Sequence, residues 1–540
     1  MNLFKKNEIE RDVFLPPAIL LGLTLVIGMI APQGFANVST ALLSFTIEKF
    51  GWLYLFLTFV FLVAPFVIMI SPLGSIRFGG PEAKPEIDLW SWCVIALCGG
   101  IATGMLFWGV AEPLTHYYSP PAITGLDPLT PQTAIRALQL GTFHWSYIPY
   151  GLFTLFGIAI GYASYNRKLP LRVSSAFYPL LGKRIYDWPG KLIDGISILT
   201  LAGGVVTTLG FGTLQFASGL QYLFDWTPSN SIYALIIVVL TITYTVSSYT
   251  GLQRGIKYLS NINSFIFFGL VAFLFIFGPT KFLFNAMVET AGSYLTNLIP
   301  CSFNADAFNV SNGWSGGWTI FFWAWWIVYA PIIGMFLARI AIGRTIRQFV
   351  IVNVIIPGTF MFTWFVAFGG SAIYFEHFQN AGIMNVIEEF GLEVSMYALL
   401  KNLPISSITI PMGIVALGIS FVTLADSMTS TIAVITTKDT RAAEPPAGIK
   451  IFWGLLIGGI TMLCLLVSGT IGTKALQTMS IAYALPIFIL EFGALICLVM
   501  FLGKDKQEQY VHGDVSENIK TTPLKVVEND DTEDDDESVM

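Results

Sequence analysis

The sequence predicts an all-α polytopic membrane protein with twelve transmembrane helices. Its 540 residues are 54% hydrophobic and only 11% charged, and a mean hydropathy of +0.70 excludes an ordinary water-soluble protein. Windows of about 20 apolar residues, the length that a helix needs to cross the hydrocarbon core of a membrane, recur along nearly the whole chain. The chain is therefore expected to lie in a lipid bilayer.

The predicted spans divide the chain into a short N-terminal segment (1–12), a twelve-helix domain (13–502) and a polar tail (503–540). The first span is not interpreted as a cleaved signal peptide, because no small-residue cleavage site follows it and the second span begins soon after. The predicted spans are residues 13–31, 51–71, 90–114, 139–164, 192–220, 231–249, 259–278, 316–338, 349–373, 405–436, 451–469 and 475–502.

The distribution of positive charge predicts the orientation in the membrane. With the N-terminus in the cytoplasm the loops alternate sides, and cytoplasmic loops carry an excess of Lys and Arg. Of the 28 Lys and Arg residues, the few that fall on the opposite side are Lys49, Arg136, Lys281, Lys401 and Lys474. Both termini are therefore expected in the cytoplasm, in a multi-pass protein of the cytoplasmic membrane.

The tail is polar and contains the acidic run EDDDE within residues 528–540. Low hydrophobicity and high charge predict disorder for such a segment, and a regulatory arm is its functional alternative. The net charge of -6 comes largely from this tail and gives no reason to expect a nucleic-acid partner.

The motifs of soluble enzymes are missing from the sequence. It contains no Walker loop, no HExxH motif and no GxSxG motif, so no enzymatic activity and no cofactor are expected. Without an ATP site, a transporter of this kind would have to run on gradients. The five cysteines have no metal-ligand spacing. The histidines, at 116, 144, 377 and 512, are too scattered along the chain to predict a metal centre.

Acidic residues inside predicted spans are hypotheses for functional sites, because a charge in the membrane interior is costly. They are Glu112, Asp194, Asp426 and Glu491. Glu112, in FWGVAEP, falls where the third span should end, so a structural role at a helix terminus and a role in ion coupling are weighed equally. Asp426, in TLADSMTST, has hydroxyl neighbours that could satisfy it, which favours a structural role over proton coupling.

Glycines interrupt the third predicted span in the stretch CGGIATG, residues 98–104. Glycine lowers helix propensity and permits close backbone approach. One interpretation is tight helix packing through small residues. The other is a locally unwound helix whose backbone groups face a substrate, with Gly100 and Gly104 at its centre.

Aromatic residues are concentrated in two other spans. If FFWAWWIVYAP at 321–331 is helical, four of its residues share one face: Phe322, Trp325, Trp326 and Tyr329. The fourth span, with FHWSYIPYGLF at 143–153, supplies Trp145, Tyr150 and Phe153. Two such faces could form a box for a quaternary ammonium group, which has no N–H to donate and is attracted by ring faces. Ordinary aromatic packing is the alternative interpretation.

These stretches resemble the betaine/carnitine/choline transporter family. The family's tryptophan-rich eighth span and the basic signature after it are matched by WTIFFWAWWIVYAPIIGMFLARIAIGRTIRQF at 318–349. The stretches MLFWGVAEPLTHY, FHWSYIPY and FVTLADS resemble family segments of the third, fourth and tenth spans. The resemblance covers all twelve spans. It implies a leucine-transporter-type 5+5 inverted repeat, with spans 3–7 and 8–12 forming the two halves after two extra helices, in a protein that forms homotrimers.

The resemblance implies secondary active transport of a quaternary ammonium compound such as betaine, choline or carnitine, by alternating access across the cytoplasmic membrane. A membrane receptor or channel that senses such a ligand is the alternative from a different class. The substrate-binding residues that the resemblance implies are Trp145, Trp325, Trp326 and Tyr329, with Tyr150 and Phe153 at neighbouring positions and Tyr117 at a position used by carnitine-type members. Trp323 would lie on the access path, just outside the site.

The residues at the family's sodium site depart from its pattern. Where sodium-coupled members carry adjacent Thr and Ser, this chain has Thr423 and Leu424, and a hydrocarbon side chain cannot coordinate sodium. The fifth-span threonines fall on Leu201 and Val205, with nearby Thr207 and Thr208 as the alternative register. These departures favour sodium-independent transport, driven by exchange or by protons and the membrane potential, and sodium-coupled symport is the alternative.

Other features bear on coupling and regulation. Thr423 and Asp426 are retained as candidates for ion coupling. Sodium-independent exchangers of the family carry an arginine in the seventh span, where this chain has LSNINS at 259–264 without one. Osmotically activated members end in a basic helix, whereas this tail is acidic, so direct osmosensing is not expected.

Overall fold

The computed structural model describes residues 9–100, 102–250, 252–438, 445–468 and 484–511. Within these residues the regular structure is helical, apart from the isolated bridges Ile9–Thr437 and Arg77–Thr345. Among the described residues, ten helices are long and apolar enough to cross a membrane, or eleven if a bent pair counts as one span. This number supports a multi-pass membrane protein and is one or two lower than the twelve spans predicted.

The described helices, labelled in chain order, are α1 (Arg11–Ile30), α2 (Pro32–Ile70), α3 (Leu89–Gly100), α4 (Ala102–Tyr118), α5 (Pro131–Trp145), α6 (Tyr147–Gly161), α7 (Tyr178–Leu181), α8 (Trp188–Phe224), α9 (Asn230–Thr250), α10 (Leu252–Phe277), α11 (Thr280–Ser302), α12 (Phe321–Ile327), α13 (Ala330–Arg339), α14 (Ile346–Val350), α15 (Ile356–Gln379), α16 (Ile383–Phe390), α17 (Ser395–Lys401), α18 (Ser406–Ile435), α19 (Ala447–Ser468) and α20 (Ala484–Val511). Short 3-10 or π-helical turns connect several of them, including the π turn Gly316–Ile320 that leads into α12.

Several predicted spans differ in detail from the helices. The third predicted span comprises α3, which ends at Gly100, and α4, which begins at Ala102. Residue 101 lies outside the described part of the chain. The fourth comprises α5 and α6, and the eighth comprises α12 and α13, which are bent by 45° at their junction. The start of the twelfth span lies outside the described residues, and α20 continues to Val511, past the predicted boundary at residue 502.

One helix was not predicted as a span. Helix α11 runs for 23 residues between the seventh and eighth predicted spans and carries Lys281 and Glu289. Its mixed polarity explains why a search for continuous apolar windows passes over it. It packs against α5 and α15.

The interior is formed where the broken helices meet the long ones. Helix α13 packs against α6, and α4 packs against both α5 and α15. The contact between α6 and α13 is close because each presents a glycine: a Cβ on Gly334 would lie 2.8 Å from the backbone nitrogen of Gly157. Small residues that bring two backbones together are a common packing device in membranes.

Candidate functional site

The tryptophan-rich stretch lies at the bend between α12 and α13. Pro331 has no N–H, so the carbonyl of Ile327 loses its usual helical partner, and α12 ends there. The prediction of one continuous helical face is therefore correct only as far as Trp326. On that face the rings of Trp325 and Trp326 stack at 5.3 Å and 6°, and Phe322 stacks on Trp326 at 6.2 Å and 14°.

A second break brings Trp145 to the same place. Helix α5 ends at Trp145, and Ser146 has a non-helical backbone with φ −87° and ψ −110°. Pro149 is the cause by the same argument, because it cannot donate to the carbonyl of Trp145. The Trp145 ring stands perpendicular to the stacked pair, with its centroid 4.6 Å from that of Trp326 and 6.0 Å from that of Trp325. We call Trp145, Trp325 and Trp326 the tryptophan cluster.

The polar side-chain atoms of Trp145, Trp326 and Tyr329 each form a hydrogen bond with a different helix. The indole N–H of Trp326 donates to the carbonyl of His144 at 3.0 Å, at the break after α5. The indole N–H of Trp145 donates to Oε2 of Glu112 at 2.8 Å, on α4. The hydroxyl of Tyr329 lies 2.6 Å from Oγ1 of Thr208, on α8. Buried indoles and phenols generally need such partners, and these bonds set the ring orientations.

Two glycines make room for the rings. A Cβ on Gly104 would lie 2.5 Å from Cη2 of Trp145, and one on Gly204 would lie 2.9 Å from Cε2 of Tyr329. Gly104 was expected in an unwound segment, but it lies inside helix α4, so the role visible here is close contact with an indole. Gly100 is the last residue of α3, and residue 101, where unwinding was expected, lies outside the described residues.

The other predicted site residues are buried but have different neighbours. Tyr150 and Phe153 contact each other on α6, with ring centroids 6.3 Å apart. Trp323 packs edge-on against Phe143 at 5.3 Å and is only 1% exposed. The hydroxyl of Tyr117 lies 2.5 Å from Nδ1 of His377, on α15.

Tyr117 therefore belongs to a different part of the molecule from the tryptophan cluster. It is five residues beyond Glu112 on α4, which is about 7 to 8 Å along the helix. Its hydroxyl also donates to the carbonyl of Leu129. These bonds hold the end of α4 against the loop before α5 and against α15.

The candidate coupling residues lie on α18. The hydroxyl of Thr423 donates to a carbonyl one turn earlier at 2.8 Å, and Leu424 beside it is only 3% exposed. Asp426 accepts hydrogen bonds from Ser247 of α9 at 2.6 Å and from Ser430 at 3.3 Å. This carboxylate thus joins two helices, which is the structural role that its hydroxyl neighbours indicated.

The sequence analysis missed one grouping. His116 and His144, which were considered too far apart in the sequence to predict a metal centre, both lie beside Glu112. One ring nitrogen of each histidine and one carboxylate oxygen of Glu112 lie within 4.8 Å of one another. A signal was present in part, because Glu112 and His116 are spaced i, i+4 and so share a helix face. The contribution of His144 depends on how α5 folds against α4.

Broken helices that bring aromatic and polar groups together inside an apolar bundle are typical of membrane transporters. Residues 12–507 match the family described as "BCCT, betaine/carnitine/choline family transporter". The chain therefore belongs to the betaine/carnitine/choline transporter family, as the sequence predicted. It is a multi-pass membrane transporter and not an enzyme.

Curated relatives agree with this assignment. A protein of Desulfitobacterium hafniense (strain Y51) named "Probable glycine betaine transporter" is 34% identical over 505 residues, which cover 94% of this chain and 100% of that protein. The "Ectoine/hydroxyectoine transporter" of Virgibacillus pantothenticus is 33% identical over 506 residues, which cover 93% of this chain and 99% of that one. The "Glycine betaine transporter OpuD" of Bacillus subtilis (strain 168) is 33% identical over 484 residues, with 89% and 92% coverage.

A solved structure of a Na+-coupled sialic acid symporter is also similar. It shares 13% sequence identity and a TM-score of 0.41, over 86% of this chain and 96% of that chain. At that TM-score the likeness carries no argument about this chain.

Proposed function

We propose that this chain is a secondary active transporter of a small quaternary ammonium compound, which binds at the tryptophan cluster. The observation that carries the proposal is the meeting of Trp145 with the stacked Trp325–Trp326 pair at right angles, between two broken helices. A methylated ammonium has no N–H to donate, so ring faces are the groups that attract it. The names of the relatives, which include glycine betaine transporters, support the same class of substrate.

The ring geometry indicates where the cation would bind. In a perpendicular pair, the partly positive edge of one indole lies on the negative face of the other. A cation carries the same sign of charge as that ring edge and would take the place of the edge on the negative ring face. With centroids 4.6 Å apart, Trp145 and Trp326 leave no room for a ligand between them, so binding requires the two rings to separate. Each ring ends a helical segment at a break, where such a movement costs little helical structure.

The proposal includes the architecture implied by the family resemblance. Twelve spans follow if α3 with α4, and α12 with α13, each form one span. The two halves of the inverted repeat would then be spans 3–7 and 8–12, and the second half would begin with the bent pair α12 and α13. Cytoplasmic termini and a homotrimer complete this picture, with both surfaces of the bundle alternately open to the central site.

We also propose that transport does not depend on sodium. Leu424, Leu201 and Val205 stand where sodium-coupled members of the family offer hydroxyl oxygens, and all three side chains are buried. An ion drives transport only through its different affinities for the two conformations, so an ion without ligands cannot drive accumulation. Exchange, or coupling to protons and the membrane potential, would then supply the energy.

The test is uptake of radiolabelled glycine betaine, choline and carnitine into proteoliposomes that contain the purified protein. Saturable accumulation of one of them, with competition by the others, is the expected result. Specific binding without uptake would favour the receptor alternative. Neither binding nor uptake of the panel would overturn the proposal.

A further inference from the structure

A cluster of titratable side chains lies directly beside the tryptophan cluster. It consists of Glu112 and His116 on α4 and His144 on α5, and we call it the Glu–His cluster. All three residues are at most 1% exposed. Ionisable groups are expensive to bury in a membrane protein, and they mark ion or proton pathways more often than they serve packing.

Glu112 is the centre of this cluster. Its Oε1 lies 2.5 Å from Nδ1 of His144, and its Oε2 accepts the indole N–H of Trp145 at 2.8 Å. The same carboxylate thus bonds at once to a histidine that can exchange a proton and to an aromatic ring of the proposed binding site. A change in the charge of Glu112 is transmitted to Trp145 through one hydrogen bond.

His144 can change protonation state without losing a partner. Its Nε2 lies 3.0 Å from Oγ1 of Thr319. A threonine hydroxyl can donate to a neutral ring nitrogen or accept from a protonated one. The second ring position is therefore satisfied with or without an added proton.

His116 offers further capacity for a proton. Its Nε2 is 3.4 Å from Oε1 of Glu112, but in the described part of the chain neither ring nitrogen has a hydrogen-bond partner of acceptable geometry. Its ring lies against the indole of Trp318, with centroids 4.4 Å apart. A protonated imidazole at that place would be stabilised by both the carboxylate and the indole.

Other charged or titratable groups on the elements packed against α4 interact elsewhere. Within the described ranges, Arg136 bonds to Cys301, Lys191 to Asp12, Asp194 to Ser174, Glu376 to Tyr118, His377 to Tyr117, Glu393 to the backbone and Asp426 to Ser247, and Lys401 lies over the ring of Tyr222. The charge of the Glu–His cluster is therefore set within the cluster itself.

We propose that the Glu–His cluster is a proton-binding site linked to ligand binding through the Trp145 N–H to Glu112 hydrogen bond. The proposal rests on the proposed function of the tryptophan cluster. Without the extra proton, the carboxylate is negative and lies at the N–H edge of the Trp145 indole, where its charge adds to the attraction of that ring for a cation. One proton taken from bulk water neutralises the cluster and weakens this attraction, and it returns to bulk water when the ligand binds.

A metal ion is the other occupant that two histidines and a carboxylate suggest. In this structure both carboxylate oxygens of Glu112 are already hydrogen-bonded, Oε1 to Nδ1 of His144 and Oε2 to the indole N–H of Trp145. A metal would have to break the first bond and disturb the second. The hydrogen bonding therefore favours a proton.

Linkage gives a quantitative expectation. If a proton weakens ligand binding by some factor, bound ligand lowers proton affinity by the same factor, and such factors are typically about 5 to 150. The apparent affinity for choline or glycine betaine should fall by about tenfold or more between about pH 8.5 and about pH 5.5, a range that brackets the ordinary pKa of histidine. Ligand binding in unbuffered solution should release protons.

The experiment combines ligand binding and a ligand-free readout on the purified full-length protein. Equilibrium binding of choline, of glycine betaine and of carnitine is measured across this pH range for the parent, Glu112→Gln and Trp145→Phe. Glu491→Gln, which removes another fully buried carboxylate from α20, is the matched control. Intrinsic tryptophan fluorescence is followed against pH without ligand, because protonation next to Trp145 and Trp318 should change their emission.

We expect ligand binding to depend on pH in the parent and in the control Glu491→Gln. In Glu112→Gln, we expect binding to be weaker and independent of pH. Trp145→Phe keeps a ring but loses the N–H, so it should bind with little pH dependence while folding normally. An unchanged pH profile in both Glu112→Gln and Trp145→Phe, or tighter binding at acidic pH in the parent, would overturn the proposal.

The ligand-free arm separates the two proposals. If the parent binds none of choline, glycine betaine and carnitine at any pH, the proposed function fails. A fluorescence transition that Glu112→Gln abolishes would still establish the proton site. A parent without such a transition, or one whose transition survives in Glu112→Gln, would overturn the site itself.

Discussion

The tryptophan cluster and the FVTLADS segment of α18 are equally buried but are built from opposite chemistry. At the cluster, ring faces and edges meet directly, and the indole N–H groups of Trp326 and Trp145 bond outward to His144 and Glu112. On α18, hydroxyl and carboxylate groups bond to carbonyls and to neighbouring helices, and Leu424 interrupts them. Under the proposed function, a cation would bind in the first region by taking the place of one ring edge on the face of the other ring. The second would have to give up existing hydrogen bonds.

This difference places the proposed ligand site and the FVTLADS segment in chemically different surroundings. An apolar, aromatic surface attracts a methylated cation without requiring any polar group to be unpaired. A site for a bare ion needs several free oxygens, which α18 does not offer at Leu424. The groups proposed to bind a proton lie instead on α4 and α5, directly beside the tryptophan cluster.

The largest effect should come from removing a ring of the cluster. Trp326→Ala loses both its stack with Trp325 and its contact with Trp145, so a cation loses about 1 to 2 kcal/mol of ring attraction, roughly a 5- to 30-fold loss of affinity. Trp326→Phe keeps a ring face and should retain a measurable part of the binding. Isothermal titration with each ligand measures both.

The control for that comparison is Trp188→Ala, which removes a tryptophan that is 74% exposed. It should bind like the parent. Equal affinity in the parent, Trp326→Ala and Trp326→Phe would show that the cluster is packing only.

The next largest effect should follow Gly104→Ala. The new Cβ would lie 2.5 Å from Cη2 of Trp145, so the ring must shift and its angle to Trp326 must change. We expect uptake to fall by about tenfold while the protein still assembles, because a misplaced reacting or binding group commonly costs that much or more. Initial uptake rates, normalised to protein in the liposomes, measure the effect.

Gly195→Ala is the matched control, since a Cβ on that α8 glycine meets no atom within 4 Å. It should transport like the parent. Normal uptake by a correctly assembled Gly104→Ala protein would mean that the position of Trp145 is not critical.

A small effect is expected from Thr423→Val. The substitution keeps the shape of the side chain and removes a hydroxyl whose donor bond goes to its own helix, so uptake should change by no more than about threefold. Saturation curves for the same substrate give KM and maximal rate. A severe loss confined to sodium-containing buffer would instead assign this hydroxyl to an ion site.

The smallest expected effect is that of the external cation. Replacing sodium by potassium or Tris should leave the initial rate unchanged, because Leu424 supplies no ligand for sodium. The assay is uptake into proteoliposomes with and without preloaded substrate, and stimulation by preloading would favour exchange. A steep rise of rate with external sodium, independent of preloading, would show that neighbouring oxygens rebuild the site.

The spans could be predicted because a membrane imposes one length on every apolar helix. Helix α11 was not predicted because its mixed polarity gives no continuous apolar window of that length. The breaks at Ser146 and between α12 and α13 were not predicted, although Pro149 and Pro331 are plain in the sequence. Proline inside a membrane helix produces anything from a slight kink to a full break, and the neighbouring helices decide which.

The sequence predicted which aromatic rings come together at the candidate site, but not the hydrogen bonds of the polar groups beside them. Trp145, Trp325 and Trp326 were expected together from the family resemblance, and they do meet. Glu112 and His144 could not be paired from sequence, because 32 residues and a loop separate them along the chain. A hydrogen bond between distant residues leaves no periodic signal, unlike a helix face.

The glycine contact between α6 and α13 limits how the protein can change shape. Gly157 and Gly334 bring the two backbones into close contact, so we expect α6 and α13 to move together. These are the segments that follow the breaks after Trp145 and after Ile327. If the two rings separate to admit a ligand, as proposed, we expect the movement in α5 or α12, which would pivot about the breaks at the two prolines while the glycine contact stays closed.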